Sequence, residues 1–250
     1  MINIFAFETV DEYKKYEETI KRFNKKLEKY IDLLQKDYVL TELPKGIVWT
    51  TKELATTAFS TIPIPAFTNK DLIYITPSLE EWRSLFIKQL DDKELPEVRD
   101  FYENMSENHV LTIVGHEFTH HSDLFLDDFD DVREDSIWFE EGMCEYLPRK
   151  MMLSEAEFEE ITNVEKELVK AFEADYGSNS LDHFGSASYQ GSLSSMMFDY
   201  WRSFLAIKYL VEERTNLCVN KVFEQYHQWD KDGRKVPLTE FFQITKEVWK

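Results

Sequence analysis

The chain has 250 residues, of which 29 are Lys or Arg and 48 are Asp or Glu, so its formal net charge at pH 7 is −19. Such a charge repels phosphate backbones and anionic lipid headgroups, which argues against a nucleic-acid or membrane-surface partner. With 43% hydrophobic residues and only 7 Gly and 7 Pro, the composition predicts a folded, helix-rich protein rather than a disordered chain. No apolar run is long enough to span a bilayer.

The first residues and the cysteines bear on the cellular compartment. Residues 1–10 have neither the basic start nor the long apolar segment of a secretory signal. Cys144 and Cys218 are too few for a disulfide framework, so we expect two reduced and mostly buried thiols. These features predict a cytoplasmic protein; they do not indicate its oligomeric state.

The N-terminal part of the chain predicts one helix and a small sheet. Apolar residues recur at spacings of three and four over residues 10–36, which is typical of a long amphipathic helix. Between residues 44 and 77, Thr, Pro and Asn-Lys-Asp separate short apolar runs, which predict strands and hairpins. These runs are residues 47–49, 58–59 and 72–75.

From Pro77 onward the pattern is helical. Two capping boxes, Ser78 with Glu81 and Ser154 with Glu157, mark helix starts. Helices are predicted over residues 106–125, 136–149, 154–175, 193–214, 217–228 and 238–249. We therefore expect an α+β fold in two lobes without a flexible joint. A lobe with a small mixed or antiparallel sheet covers residues 1–105, and a mainly helical lobe covers residues 106–250.

The most informative segment is His116-Glu117-Phe118-Thr119-His120. Two His four residues apart lie on the same face of a helix and can bind one ion, and neutral imidazole suits Zn²⁺. Glu117 follows the first His directly, where its carboxylate can act as a general base toward water. The segment predicts a zinc site with Glu117 as a catalytic residue.

The third ligand is harder to assign from the motif. A metzincin would need Gly at position 123 and His at position 126, where this chain has Asp123 and Leu126. His121 is rotated about 100° round the helix from its neighbour, so it points elsewhere. Downstream, Glu140 and Glu141 are both candidates.

The segment around these two residues reads Trp138-Phe139-Glu140-Glu141-Gly142-Met143-Cys144-Glu145-Tyr146. It resembles the second zinc-binding helix of the gluzincin metallopeptidases, the group that includes thermolysin and the leukotriene A4 hydrolase and M1 aminopeptidase relatives. The resemblance implies a zincin-like fold and Glu141 as the third zinc ligand, with Glu140 as the competing candidate. It also implies that Glu145 orients a ligand His.

An upstream segment, residues 65–74, resembles the edge strand and return strand of the thermolysin-type enzymes. In that family, backbone groups of the edge strand hold an extended peptide by strand addition. The resemblance therefore implies substrate contacts at Ala66 and Phe67. An ordinary core hairpin is the alternative, because short apolar hairpins are common.

A downstream segment, residues 200–210, resembles the Y-x-K-G-F-x-x-x-x-Y-L helix of the M1 relatives. There the leading Tyr donates a hydrogen bond to the oxyanion of the reaction, which implies this role for Tyr200. Tyr189 is the alternative donor, and both residues could instead be structural aromatics.

The chain departs from the family in two places. The M1 G-x-M-E-N motif is absent, which argues against an aminopeptidase, and His183 and His227 lack the context of thermolysin's downstream catalytic His. The acidic run at residues 127–135 lacks the spacing and Gly of an EF-hand, so we expect a solvated loop, with a second metal site as the alternative.

The sequence thus predicts a gluzincin-like zinc metallopeptidase, an endopeptidase rather than an aminopeptidase, with a peptide or protein substrate in a cleft between the lobes. Two alternatives remain open: a peptidase-like binding module that retains zinc, and a hydrolase of a non-peptide bond such as an epoxide. Glu117 tells against the binding module, since a structural zinc site needs no base and usually has four protein ligands.

Overall fold

A four-stranded mixed sheet forms one side of the molecule. The computed structural model describes residues 1–129, 131, 135–185 and 188–249. In this part of the chain the strands are β1 (Ile2–Ala6), β2 (Gly46–Thr50), β3 (Ala66–Thr68) and β4 (Leu72–Ile75). The strand order is β1-β2-β4-β3; β1, β2 and β4 are parallel, and β3 runs antiparallel to β4 at one edge.

Helices supply most of the remaining structure, which places the fold in the predicted α+β class. They are α1 (Val10–Asp37), α2 (Lys52–Leu54), α3 (Leu79–Lys88), α4 (Pro96–Asn104), α5 (Glu107–Thr119), α6 (Ile137–Met152), α7 (Glu155–Tyr176), α8 (Leu193–Tyr209), α9 (Val219–Lys231) and α10 (Leu238–Phe241). π-Helical turns at Ala55–Phe59 and Leu210–Arg214 follow α2 and α8. None of the helices in the described ranges is long and apolar enough to cross a membrane.

The predicted amphipathic helix over residues 10–36 is confirmed as α1. Thr9 caps it by accepting a hydrogen bond from the backbone N–H of Glu12. From Ile20 onward the residues at the predicted spacing are buried, and the Phe23 ring lies 6.2 Å from the ring of Trp49 in β2. Helix α1 therefore packs against β2 at this point, and its apolar stripe forms part of the core.

The sheet is mixed, as predicted, with β3 and β4 as its antiparallel hairpin. It differs from the prediction in two ways. Residues 58–59 lie in a π-helical turn rather than in a strand. Strand β1 was not predicted; its residues are apolar or uncharged on both faces, so it shows no alternation of apolar and charged side chains.

The helix starts and ends follow the local chemistry. Ser154 and Glu157 form the predicted capping box at α7. Ser78 caps α3, but the carboxylate of Glu81 accepts hydrogen bonds from Thr76 and Lys52 instead of closing a second box. The predicted helix over residues 238–249 is interrupted after α10, where Gln243 has a left-handed backbone with φ of 54°.

The predicted division at residue 105 stays a prediction. Side chains meet across it: the Tyr30 hydroxyl lies 2.7 Å from Thr119 Oγ1, and Arg22 pairs with Glu107 at 2.7 Å. Both cysteines are free thiols; Cys144 is buried and Cys218 is half-buried.

Candidate metal centre

Two glycines let the helices of the site approach each other closely. A Cβ atom at Gly115 of α5 would lie 2.6 Å from Pro148 Cβ of α6, and one at Gly142 of α6 would lie 2.5 Å from the Ser203 carbonyl oxygen of α8. Real Cβ atoms do not approach that closely, so only Gly permits this packing. Each Gly adjoins a candidate ligand in the chain, and the packing therefore brings those ligands together.

Three side chains of α5 and α6 converge at one point. His116 Nε2 lies 3.1 Å from His120 Nε2 and 3.2 Å from Glu141 Oε2, and the third side of this triangle, from His120 Nε2 to Glu141 Oε2, is 3.6 Å. In the part of the chain that the structure describes, this is the group of His, Cys, Asp and Glu side chains that could hold a metal ion.

The triangle fits a tetrahedral ion. Ligand distances of about 2.0–2.2 Å in a tetrahedral zinc site place neighbouring ligand atoms about 3.3–3.6 Å apart, close to the three separations here. Glu141 Oε2 is buried and has no hydrogen-bond partner among the described residues. A buried carboxylate oxygen without a partner is costly unless a cation satisfies it. The donor set therefore suits a metal ion with imidazole and carboxylate ligands.

A second carboxylate lies behind each histidine. His120 Nδ1 donates a hydrogen bond of 2.6 Å to Glu140 Oε1. Glu145 Oε1 lies 3.3 Å from His116 Nδ1, although not in line for a hydrogen bond, and its other oxygen pairs with Arg149. Carboxylates in these positions fix the ring orientation of ligand histidines and raise their basicity. Glu140 thus lies on the far side of His120 from the triangle.

The close carboxylates also determine how the free site titrates. Burial alone would lower the pKa of His116, but Glu141 and Glu145 outweigh it and raise the pKa to about 9. Burial would raise the pKa of Glu141, yet the two histidines hold it well below its usual range. The metal-free site therefore favours ionised Glu141 beside protonated imidazole, and a cation would replace that proton.

Glu117 lies beside the triangle without belonging to it. Its residue is only 6% exposed and lines the same cavity as the three candidate ligands. Burial raises its pKa to about 7, against the opposing effect of His116 and His120. A carboxylate with a pKa near neutrality can exchange a proton with a reacting group.

Tyr189 and Tyr200 extend the site from the side of α8. The Tyr189 hydroxyl donates to Glu141 Oε1 at 3.2 Å and lies 2.9 Å from the Tyr200 hydroxyl. The Tyr200 ring is 6.3 Å from the ring of His116. The structure therefore brings both predicted candidates to the site, and Tyr189 is the one whose hydroxyl bonds to a candidate ligand.

These side chains line a cavity of about 510 Å³ that also reaches the sheet. All three residues of β3 line it, together with an apolar wall formed by Ile62, Ile64, Trp82, Leu85, Phe86, Ile113, Ile137 and Met197. The volume and the mainly apolar lining are those of a ligand-binding cleft with a few convergent polar groups.

The register of β3 shows which of its backbone groups are open. The N–H of Asn69 bonds to the Leu72 carbonyl, and the N–H of Thr76 bonds to the Pro65 carbonyl. Because antiparallel pairs alternate, the peptide groups of Phe67 face β4, whereas those of Ala66 and Thr68 point to the open edge. The sequence predicts substrate contacts at Ala66 and Phe67, whereas the backbone groups that are open in the structure belong to Ala66 and Thr68.

The other histidines lie away from the triangle. His121 is buried, and its Nε2 is 2.8 Å from Thr68 Oγ1, so it connects the end of α5 to β3. His183 is exposed, and His227 Nε2 lies 2.7 Å from the Leu124 carbonyl oxygen. The contact between His121 and Thr68 had no signal in the sequence, because 53 positions separate the two residues.

The acidic run contacts an arginine. Asp127 and Asp135 each pair with Arg234 at 3.1 Å, and Asp230 pairs with the same guanidinium at 2.7 Å. Residues 130 and 132–134 of this run lie outside the described residues. The described carboxylates of the run do not form a group that could hold a second metal.

Comparisons of the chain with protein-family models, with curated proteins and with solved structures found no match.

Proposed function

We propose that this protein is a cytoplasmic, zinc-dependent metallopeptidase of the gluzincin type that hydrolyses internal peptide bonds. The observation that carries the proposal is the triangle of His116, His120 and Glu141, with the buried carboxylate of Glu117 beside it in one cleft. A structural site would need neither this carboxylate nor a cleft of about 510 Å³.

His116, His120 and Glu141 would hold the ion, and three protein ligands are the number that catalytic zinc sites have, whereas structural sites usually have four. When bound, zinc would polarise the scissile carbonyl and acidify a water molecule. Glu117 would accept the proton of the attacking water and return it to the leaving amine, a task that suits its raised pKa of about 7.

Two other parts of the cleft would hold the substrate. The hydroxyl of Tyr200, whose ring lies 6.3 Å from the ring of His116, would donate a hydrogen bond to the oxygen that becomes negative. The open backbone groups of Ala66 and Thr68 would pair with an extended peptide along β3. An extended backbone is common to most peptides, so we expect side-chain preference to come from the apolar wall.

The experiment is cleavage of a mixed peptide library by the zinc-loaded protein, with and without a chelator, and by the Glu117→Gln variant. We expect internal cleavages that the chelator abolishes. Loss of a general base should lower the rate by about 10²–10⁴-fold while zinc content stays the same. Glu159→Gln, at an exposed position on α7, is the matched control and should cleave like the parent.

Three results would contradict the proposal in different ways. Zinc-loaded protein that cleaves nothing would favour the binding module over the peptidase. Full activity of Glu117→Gln would show that another group is the base. Loss of zinc from Glu117→Gln would make Glu117 a ligand instead of a base.

A further inference from the structure

The outer edge of β1 has a set of open backbone groups. The N–H of Ile2 donates to the Lys45 carbonyl at 3.0 Å, so the peptide groups of Ile2 and Ile4 face β2. Peptide groups of a strand alternate in direction, and those of Asn3 and Phe5 therefore point away from the sheet. Because β1 is the end strand, no other strand among the described residues pairs with them.

The exposed side chains of this edge are apolar or uncharged. Ile2 is 65% exposed, Ile4 40% and Phe5 46%. No charged residue occurs in residues 1–7, in a chain of which 31% is charged. Proteins usually protect an exposed edge with Lys, Pro or a bulge, and the register of β1 against β2 is continuous and carries none of these. Such an edge is suited to pair with another strand.

We propose that β1 pairs with β1 of a second copy of this chain, in a two-fold symmetric dimer with one continuous sheet. With the axis at Ile4, Asn3 of each copy lies opposite Phe5 of the other. These are the two residues whose peptide groups point outward, so both pairs exchange two hydrogen bonds each. The two Ile4 residues face each other as the narrow, non-hydrogen-bonded pair.

The charge distribution makes the edge of β1 the place where a second copy can approach. A net charge of −19 makes two copies repel each other over most of their surface, whereas residues 1–7 carry no charged side chain. Each copy has one β1, so pairing uses up this edge in both copies and stops at two. The dimer contact is therefore closed and does not propagate into a fibre.

The size of the contact sets its strength. One five-residue strand on each side gives an interface smaller than the roughly 800 Å² per partner of a standard complex, so we expect a dissociation constant in the micromolar range. Salt should strengthen the dimer, because the Debye length shrinks to about 10 Å at 0.1 M and screens the repulsion between the copies.

Disulfide trapping tests the register. In a non-hydrogen-bonded pair the Cα atoms lie about 4.5 Å apart, within the range that a disulfide bridges. Ile4→Cys should therefore form a covalent dimer on mild oxidation. Ile2→Cys is the control, since Ile2 lies opposite Ala6 and not opposite itself. The parent chain gives the background from Cys144 and Cys218. Equal trapping at both positions, or none at Ile4→Cys, would overturn the proposed pairing.

Sedimentation over a micromolar concentration series tests the association itself. The parent mass should rise from one chain toward two, and Ile4→Lys, which places like charges opposite each other, should weaken the dimer at least tenfold. Val236→Lys is the matched control, because Val236 is 36% exposed and lies outside β1. A parent that stays monomeric at every concentration, or a control that weakens the dimer as much, would overturn the proposal. Thermal melting of each variant checks that it is folded.

Discussion

Glu140 and Glu141 are neighbours in the chain, yet the structure places their carboxylates in different positions. Consecutive helical residues point about 100° apart, so one carboxylate reaches the far nitrogen of His120 and the other reaches the triangle. Both carboxylates are buried beside His120, and they differ in the direction in which they leave the helix. Substitution of the two residues should therefore weaken zinc binding to different degrees.

Glu141→Gln should weaken zinc binding more than Glu140→Gln. The first removes a ligand charge, whereas the second removes only a support for His120, which typically costs about 10–100-fold in metal affinity. Competition against a chromogenic chelator measures both, with Glu159→Gln as the exposed control. A larger loss in Glu140→Gln would move the third ligand to that residue.

The two tyrosines form a second pair, and their contacts differ. The hydroxyl of Tyr189 bonds to Glu141 and lies beside the hydroxyl of Tyr200, whereas the hydroxyl of Tyr200 bonds to Tyr189. We therefore expect Tyr189 to hold Glu141 and, in the proposed reaction, Tyr200 to act on the substrate.

Tyr200→Phe should lower kcat by roughly 10²–10³-fold, as loss of one oxyanion donor does, while KM and zinc content change little. Tyr189→Phe should instead weaken zinc binding, because it removes the hydrogen bond to Glu141 Oε1. Steady-state kinetics and zinc analysis of both variants separate the roles. If Tyr189→Phe lost most of its kcat at full zinc content and Tyr200→Phe kept the kcat of the parent, the oxyanion donor would be Tyr189 instead of Tyr200.

At the scale of elements, α5 carries a titratable group that is separate from the candidate ligands. His109 is 8% exposed and packs edge-on against the ring of Phe101 in α4, 5.3 Å away. Burial, with a smaller contribution from Arg149, lowers its pKa to about 4. The unfolded chain therefore binds a proton between pH 6.5 and 4 that the folded protein does not, and folding stability falls as the pH falls through this window.

His109→Met should remove this part of the acid sensitivity. The cost in the parent approaches about 3 kcal/mol toward pH 4, because each pKa unit corresponds to about 1.4 kcal/mol. Melting temperatures at neutral and acid pH should converge in the variant relative to the parent, in metal-free protein. The control is His183→Met, at an exposed position, which should keep the parent's pH dependence. An unchanged slope in His109→Met would show that other groups dominate the acid loss.

At the scale of the whole molecule, a metal ion would link α5 and α6, two adjacent helices that otherwise pack on different elements. Helix α5 packs on α1 and the sheet, while α6 packs between α5 and α8. The ligands come from both helices, so an ion bound to the folded state alone stabilises the whole molecule.

Zinc should therefore raise the melting temperature of the parent protein. Free zinc at 100 times its dissociation constant stabilises by about 2.7 kcal/mol, which is roughly 5–10 °C for a chain of this size. Calorimetry with zinc and with a chelator measures the difference. His116→Ala should show almost no difference between the two conditions. Equal effects in parent and variant would mean that zinc acts elsewhere on the molecule.

Much of the helical structure and the core of the site could be predicted from periodicity and spacing. The amphipathic period of α1 and the four-residue spacing of His116 and His120 are properties of one helix, so they need no knowledge of the rest of the fold. The uncharged edge strand β1 and the π-helical turn at residues 55–59 have no comparable period, and the sequence did not predict them.

By itself, the sequence determined the local geometry: which residues share a helix face, where helices start, and that an imidazole pair lies beside a carboxylate. Only the tertiary structure decided which distant groups meet. It placed Glu141 rather than Glu140 in the triangle, brought Tyr189 to Glu141, and opened the edge of β3 at Ala66 and Thr68. The physical reason is that these contacts depend on how closely helices and strands pack. Gly115 and Gly142 set that distance, and no local pattern in the chain reports it.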